Sequence, residues 1–222
     1  TLIAVLAAPL AMSADLPRVL VLGDSMYQPL SQQAAKSLQG KAEIVFRNDP
    51  EVFNTTPALA RIEELLGDGK WDLIHFNFGL GDLVHRAPGM KSFRVMPQAA
   101  GGIPATDPAQ YAKNLDQLAK RLQATGAKIV WASTTPIHGT ENGLYKPGSE
   151  IEYNAIAAKV MAANRIPVSD MHAAVTEILG DAKLDKSPFS LPRGVSIHPP
   201  FVTAVCRALS IPVPKEATSP KR

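Results

Sequence analysis

The sequence contains little that would support metal, cofactor or nucleic-acid chemistry. Its 222 residues include one cysteine, Cys206, so an internal disulfide and a CxxC motif are both excluded. No pair of histidines has HExxH spacing, and no Gly-rich phosphate loop occurs, so we expect no metal and no cofactor. The net charge is only +3, and no basic stripe carries interleaved aromatic residues. This pattern argues against a nucleic-acid-binding protein.

Long apolar runs are also missing, apart from a short one in residues 1–14, which read TLIAVLAAPLAMSA. This run is shorter than the roughly 20 apolar residues that cross a bilayer. It ends in small residues, which is typical of a secretory signal peptide. We therefore expect cleavage near Ala14 or Asp15, a periplasmic or secreted protein, and no stable membrane insertion after cleavage. A lipoprotein-like anchor and a buried strand are the alternatives.

The rest of the chain alternates between strand and helix patterns. Helical periodicity and capping residues predict helices between and after the apolar strands. Such alternation is typical of a parallel sheet that is covered on both faces. The prediction is an α/β fold, a three-layer α/β/α sandwich with a five-stranded, flavodoxin-like parallel sheet. The domain spans 15–212, and 213–222 form a flexible C-terminal tail. The strands are predicted at 18–25, 42–48, 71–79, 127–134 and 165–170, and the helices at 26–40, 57–67, 108–124, 150–165, 171–180 and from 198 to about 209.

Ser25 is the first candidate for chemistry, because it follows the first strand at a predicted helix start. In open parallel sheets, ligands bind outside the carboxyl ends of the strands. A hydroxyl there lies beside backbone N–H groups and the positive end of a helix dipole, which favour a developing oxyanion. The alternative is that Ser25 only caps the helix.

His198 is the second candidate, because it immediately precedes two prolines and the final helix. A late loop that runs back over the sheet edge can bring a base to Ser25. The alternative is a solvated loop residue. Among the other histidines, His75 is predicted to be a core residue of the third strand, and His138 to lie in a loop at the ligand edge as a substrate contact.

Three segments of the sequence resemble blocks of the SGNH/GDSL hydrolases. VLVLGDSM (19–26) is similar to the first block, FGLGDL (78–83) to the third block, and SIHPPFVTAV (196–205) to the fifth. The order of the blocks and the strand–helix alternation agree over about residues 17–210. This resemblance implies the SGNH hydrolase fold and a secreted serine esterase or acylhydrolase.

The resemblance also implies roles for individual residues. Ser25 would attack an ester carbonyl, and His198 would take its proton and pass it to the leaving alcohol. The Ser25 N–H would be one oxyanion donor, with Asn54 as a candidate second donor. Asp24 and Asp82 would hold the surrounding loops by hydrogen bonds.

Three positions depart from the family pattern. Val195 stands where the family places an Asp three residues before the His. Gly81 stands where it places the oxyanion-hole Asn, and residues 52–56 lack the second-block Gly. We therefore expect a Ser25–His198 dyad whose imidazole is oriented by a backbone carbonyl or by a carboxylate distant in sequence, such as Asp181 or Asp185.

The resemblance to the SGNH/GDSL hydrolases also suggests a substrate and an alternative function. O-acetylated carbohydrate is the first substrate expected, and the long loop 83–107, with Arg86, Lys91 and Arg94, would form part of the substrate wall. Its positive charge suits an anionic or polar substrate, or is simply solvated. The second hypothesis is a catalytically impaired SGNH-fold domain that binds a glycan or a protein partner.

Overall fold

The structure is a computed structural model that describes residues 15–47, 49, 51–90, 93–180 and 195–217. Its strands are β1 (Arg18–Leu22), β2 (Glu43–Arg47), β3 (Leu73–Phe76), β4 (His85–Arg86), β5 (Ile103–Pro104), β6 (Lys128–Ala132) and β7 (Val168–Ser169). Its helices are α1 (Tyr27–Ser37), α2 (Thr55–Ala60), α3 (Ile62–Leu66), α4 (Leu80–Leu83), α5 (Pro108–Gln123), α6 (Ser149–Ala163), α7 (Met171–Leu179) and α8 (His198–Leu209). Three 3₁₀ turns cover Gln98–Ala100, Thr140–Asn142 and Lys215–Ala217.

Five strands form one parallel sheet in the order β2-β1-β3-β6-β7. The interior strand β1 pairs on both sides, so that Val19 lies opposite Ile44 of β2 and Leu73 of β3. Helices cover both faces of the sheet, which confirms the predicted three-layer α/β/α fold.

Alternate residues of β1 face the two helical layers. Leu20 and Leu22 belong to the apolar core shared with α2 to α6, whereas Val19 and Val21 belong to the core shared with α1, α7 and α8. All four side chains have no exposed surface. A parallel strand that is buried on both faces needs such a continuous apolar run, which is why the sequence pattern identified it.

Most elements are shorter than predicted at one or both ends, and two segments differ from the prediction in kind. The helix predicted at 57–67 is two shorter helices. Helix α2 begins earlier, at a cap formed by Asn54, and Arg61 separates α2 from α3 because its φ of −115° and ψ of 20° are not helical. The loop predicted at 83–107 contains a short antiparallel ladder between β4 and β5. The backbone N–H and C=O groups of a long segment need hydrogen-bond partners, and the β4–β5 ladder supplies partners for some of them.

The described residues begin after the predicted signal peptide and reach into the predicted tail. The predicted signal peptide, residues 1–14, lies outside the described residues, as do residues 218–222 of the predicted tail. Ala217 is buried in the core shared with α8, so the packed part of the chain extends past residue 212. Within the described ranges, no helix is both long and apolar enough to cross a membrane.

Candidate active site

Ser25 lies in the turn between β1 and α1 and is exposed to solvent. The turn is held by its neighbour Asp24, whose Oδ1 accepts the Met26 N–H at 3.1 Å and whose carbonyl accepts the Tyr27 N–H at 3.0 Å. Met26 occupies the N-cap position of α1. Among the described residues, no hydrogen bond engages the Ser25 hydroxyl or its N–H group. The hydroxyl is therefore not used as a helix cap.

Asp24 carries a carboxyl group that is poorly solvated. The residue is half-buried as a whole, but its Oδ2 atom is shielded from solvent and has no partner in the described part of the chain. Burial raises the pKa of Asp24 to about 6, and the hydrogen bond from Met26 opposes this shift. Burial and the Asp24 charge also raise the pKa of Tyr145. Asp24 thus contributes two hydrogen bonds to the Ser25 turn.

His198 is the first residue of α8, and its Nδ1 atom lies 2.7 Å from the Ser196 hydroxyl. Helix α8 packs beside α1, with the Phe201 and Tyr27 rings 6.2 Å apart in an edge-to-face contact. The first turns of both helices are therefore neighbours, and they bring His198 to the same end of the sheet as Ser25. The described hydrogen bonds do not join Ser25 directly to His198, which is common before a substrate closes the site.

The hydroxyl of Ser196 is a partner of His198 that the sequence analysis did not name. The expected partner was a backbone carbonyl or a distant carboxylate, and both Asp181 and Asp185 lie outside the described residues. Ser196 also contacts Gln33 Oε1 at 3.2 Å. A serine two residues before a histidine is too common a pattern to have identified this contact.

Gly81 leaves no room for the side chain that the family usually places there. A β-carbon built on Gly81 would overlap the carbonyl oxygen of Phe53. The backbone before α2 therefore occupies the space of the missing oxyanion-hole amide. Asn54, the suggested second donor, is buried, and its side-chain oxygen accepts the Thr56 N–H at 3.0 Å as the cap of α2. Its role as an oxyanion donor stays a prediction.

Asp82 ties the turn after β3 to the start of α2. Its fully buried carboxylate accepts the Thr55 hydroxyl at 2.6 Å and the Thr55 N–H at 3.1 Å. The same hydroxyl accepts a hydrogen bond from Asn114 of α5 at 3.0 Å. Burial raises the pKa of Asp82 to about 6, although the bonds from Thr55 act in the opposite direction. Asp82 therefore joins the turn after β3 to the start of α2 by hydrogen bonds, and its carboxylate is not exposed to a substrate.

A cleft of about 550 Å³ opens beside Ser25. Phe53 and Phe93 contact each other on one wall, with their ring centroids 4.2 Å apart and the ring planes tilted by 50°. Phe93 and Val95 are large, exposed apolar side chains at its edge. The lining residues are mostly apolar: Asp24, Ser25, Met26, Pro29, Asp49, Val52, Phe53, Leu80, Gly81, Val84, Phe93, Val95 and Tyr145.

The loop 83–107 contributes to this cleft, but not through the charges that the sequence suggested. Arg94 is exposed and does not line the cleft, and the Arg86 guanidinium donates to the carbonyl of Ala105 at 3.4 Å. Lys91 lies outside the described residues. The parts of the loop that reach the cleft are apolar, so the expected cationic wall is not found among the described side chains.

His75 is a core residue, as predicted. It lies in β3 with no exposed surface, and its ring packs edge-on against Phe201 with the centroids 4.7 Å apart. Burial lowers the pKa of His75 to about 3, so the ring is neutral at physiological pH. His138 lies in the loop after β6 but is not among the residues lining the cleft. Across the described ranges, no group of three His, Cys, Asp or Glu side chains could hold a metal ion.

Solved structures of esterases share this architecture. An acetylxylan esterase from Geobacillus stearothermophilus matches with a TM-score of 0.61 and 16% identity, over 88% of this chain and 95% of that one. A GDSL-like lipase from Bacteroides thetaiotaomicron matches with a TM-score of 0.60 and 15% identity, over 87% of both chains. The chain has the fold of the SGNH/GDSL hydrolases.

A third structural neighbour agrees with this assignment. An alpha/beta hydrolase from the metagenome of Lake Arreo matches with a TM-score of 0.62 and 14% identity, over 87% of this chain and 95% of that one. No family model and no curated protein sequence matches the chain. The similarity to the esterases and lipases therefore lies in the fold.

Proposed function

We propose that this chain is an exported serine ester hydrolase in which Ser25 is the nucleophile and His198 the general base. The observation that carries the proposal is the exposed Ser25 hydroxyl, at the mouth of a cleft and at the end of α1 that adjoins His198. The apolar run in residues 1–14 supports export. Solved esterases have the same fold, which supports an ester-hydrolysing activity for this chain.

The reaction follows from the chemistry of these groups. The Ser25 hydroxyl attacks the ester carbonyl while the imidazole of His198 accepts its proton, and the tetrahedral oxyanion forms near the Ser25 N–H. Collapse breaks the ester C–O bond, and the imidazolium protonates the departing alcohol. Water then hydrolyses the acyl-enzyme with the same base. The helix dipole of α1 favours the negative charge at its start.

Replacing Ser25 by alanine tests the assignment of the nucleophile. We expect Ser25→Ala to lower kcat on a short-chain aryl ester by about 10³-fold or more, because loss of the nucleophile removes the covalent route. Labelling with a fluorophosphonate should also be lost. Ser37→Ala, at the other end of α1, is the matched control and should keep both properties. Equal rates for wild type and Ser25→Ala would contradict the proposal.

The cleft also bears on the acyl group of the substrate. Two solved neighbours are acetylxylan esterases by name, which supports an O-acetylated carbohydrate as substrate. The mostly apolar walls around Phe53 and Phe93 support a larger acyl group beside Ser25. A cleft of this volume is within the usual range for small-molecule sites.

A series of 4-nitrophenyl esters from acetate to octanoate separates these two substrates. If the acyl chain binds in the cleft, kcat/KM should rise by up to about fourfold for each added CH₂ until the cleft is full. Phe93→Ala should flatten this rise, while Met90→Ala, which changes an exposed side chain outside the lining, should not. A steady fall from acetate, with release of acetate from acetylated xylan, would favour the carbohydrate ester instead.

The binding-domain alternative is supported by the turn at Gly81, where the backbone of Phe53 excludes an oxyanion-hole amide. A folded wild-type protein that is inert to both aryl esters and fluorophosphonate would favour that alternative.

A further inference from the structure

Gln33, Ser196 and His198 form a connected chain of polar contacts at the side of α1. The Ser196 hydroxyl lies 3.2 Å from the side-chain oxygen of Gln33 and 2.7 Å from Nδ1 of His198. Gln33 belongs to the second turn of α1, and Ser196 precedes α8. Ile197, between Ser196 and His198, is buried in the core that includes α1. The segment that carries both polar side chains is therefore anchored against α1.

The direction of these hydrogen bonds follows from counting protons. A serine hydroxyl has one proton to donate, and a carbonyl oxygen can only accept. If Ser196 donates to Gln33 Oε1, its oxygen has to accept from His198, so the imidazole proton must be on Nδ1. The Nε2 atom then keeps its lone pair, which is the form that can take a proton from a serine.

We propose that Gln33 and Ser196 are positioning residues that hold His198 in the Nδ1–H tautomer. The carboxylate of a serine protease triad performs the same task, and in addition stabilises the imidazolium by its charge. The Gln33–Ser196 relay is neutral, so it orients the ring without supplying that charge. The consequence for catalysis depends on the proposed function, but the tautomer itself does not.

The tautomer can be measured directly. In protein labelled with ¹⁵N-histidine, the ¹⁵N shifts of His198 show which ring nitrogen carries the proton at pH 8, and His198→Ala assigns the signal. We expect Nδ1–H in wild type and in Ser196→Thr, which keeps the hydroxyl. Ser196→Ala should shift the signal towards a mixture. Gln33→Leu should favour Nε2–H, because the Ser196 hydroxyl is then free to donate to Nδ1.

Gln32 supplies the matched control. It is the exposed neighbour of Gln33 on α1 and makes no described contact with Ser196. Gln32→Leu should leave both the tautomer and the rate unchanged. Ser196→Ala and Gln33→Leu should lower kcat on an aryl ester by about 10- to 100-fold with little change in KM. The loss should stay below the roughly 10⁴-fold cost of a wrong tautomer in a protease triad, because the Nδ1–H form remains accessible.

A gain-of-function variant completes the test. Gln33→Glu keeps an acceptor for the Ser196 hydroxyl and adds the negative charge that the relay lacks, so kcat should rise severalfold. Gln32→Glu adds the same charge without the contact and should have a smaller effect.

Two outcomes would overturn the proposal: an Nε2–H tautomer in folded wild type, or an Nδ1–H signal that is unchanged in Ser196→Ala. Thermal unfolding of each variant identifies any that fails to fold, and Ser196→Thr then decides the case. If the tautomers change as expected while wild type is inert to esters and fluorophosphonate, the relay stands and the proposed function fails.

Discussion

The third-block turn (residues 79–82) and the fifth-block segment (residues 195–198) each lack a side chain found in SGNH/GDSL hydrolases. In the turn, the Phe53 carbonyl occupies the space of the missing side chain, so backbone packing leaves no room for a side chain at Gly81. In the segment, the Ser196 hydroxyl contacts the histidine in another way. A missing motif residue can thus have two consequences. At Gly81 the space of the missing side chain is filled by backbone, whereas before His198 another side chain, Ser196, contacts the histidine.

The strongest test of this difference is to restore the family residue in the turn. We expect Gly81→Asn to destabilise the protein by about 3 kcal/mol or more and to lower activity, because the new side chain meets rigid backbone. Urea unfolding and aryl-ester kinetics measure both effects. Gly89→Asn is the control, since nothing lies within 4 Å of that position and Asn tolerates its positive φ of 70°. Higher activity at unchanged stability would show that the turn can open.

A pH series tests how strongly the third-block turn is buried. The folded protein raises the pKa of Asp82 from 3.8 to about 6, so the folded state holds this proton more tightly than the unfolded state. Its contribution to the free energy of unfolding is therefore greatest below pH 4 and falls by about 2–3 kcal/mol as the pH rises through 6.

Comparing wild type with Asp82→Asn isolates this contribution. Asp24 shifts stability in the same direction and His75 in the opposite one, but both are present in the two proteins and cancel. Urea unfolding from pH 4 to 7 should show a flatter profile for Asp82→Asn. The exposed Asp68→Asn serves as control. Parallel profiles for wild type and Asp82→Asn would mean that the carboxyl is better solvated than its position indicates.

The smallest expected effect comes from restoring the acid in the fifth-block segment. We expect Val195→Asp to raise kcat severalfold, which corresponds to an activation barrier lower by about 1 kcal/mol, because a carboxylate near the ring stabilises the imidazolium. The double variant Val195→Asp/Ser196→Ala should recover much of the activity lost in Ser196→Ala alone. If Val195→Asp instead lowers both kcat and the free energy of unfolding, the packing around residue 195 excludes the family's carboxylate, as the backbone of Phe53 excludes a side chain at Gly81.

The sequence predicted most of the framework because its signals are local. The run ending at Ser25 and the helix after Asp107 depend on neighbours along the chain, and both were placed to within a few residues. The single predicted helix at 57–67 was wrong because apolar periodicity does not record the non-helical backbone of one residue, Arg61, within a continuous apolar face. The two-residue strands β4 and β5 were missed because they are too short to show a period.

The candidate site shows the same division. The order of blocks along the sequence made Ser25 and His198 the candidates, and the apolar strand pattern placed His75 in the core. The overlap between Gly81 and the Phe53 carbonyl, and the contact of Ser196 with Gln33, could be decided only by the tertiary structure. Ser196 and Gln33 are 163 positions apart. Pairings over such distances depend on how helices pack across the sheet, and no local pattern of residues encodes that packing.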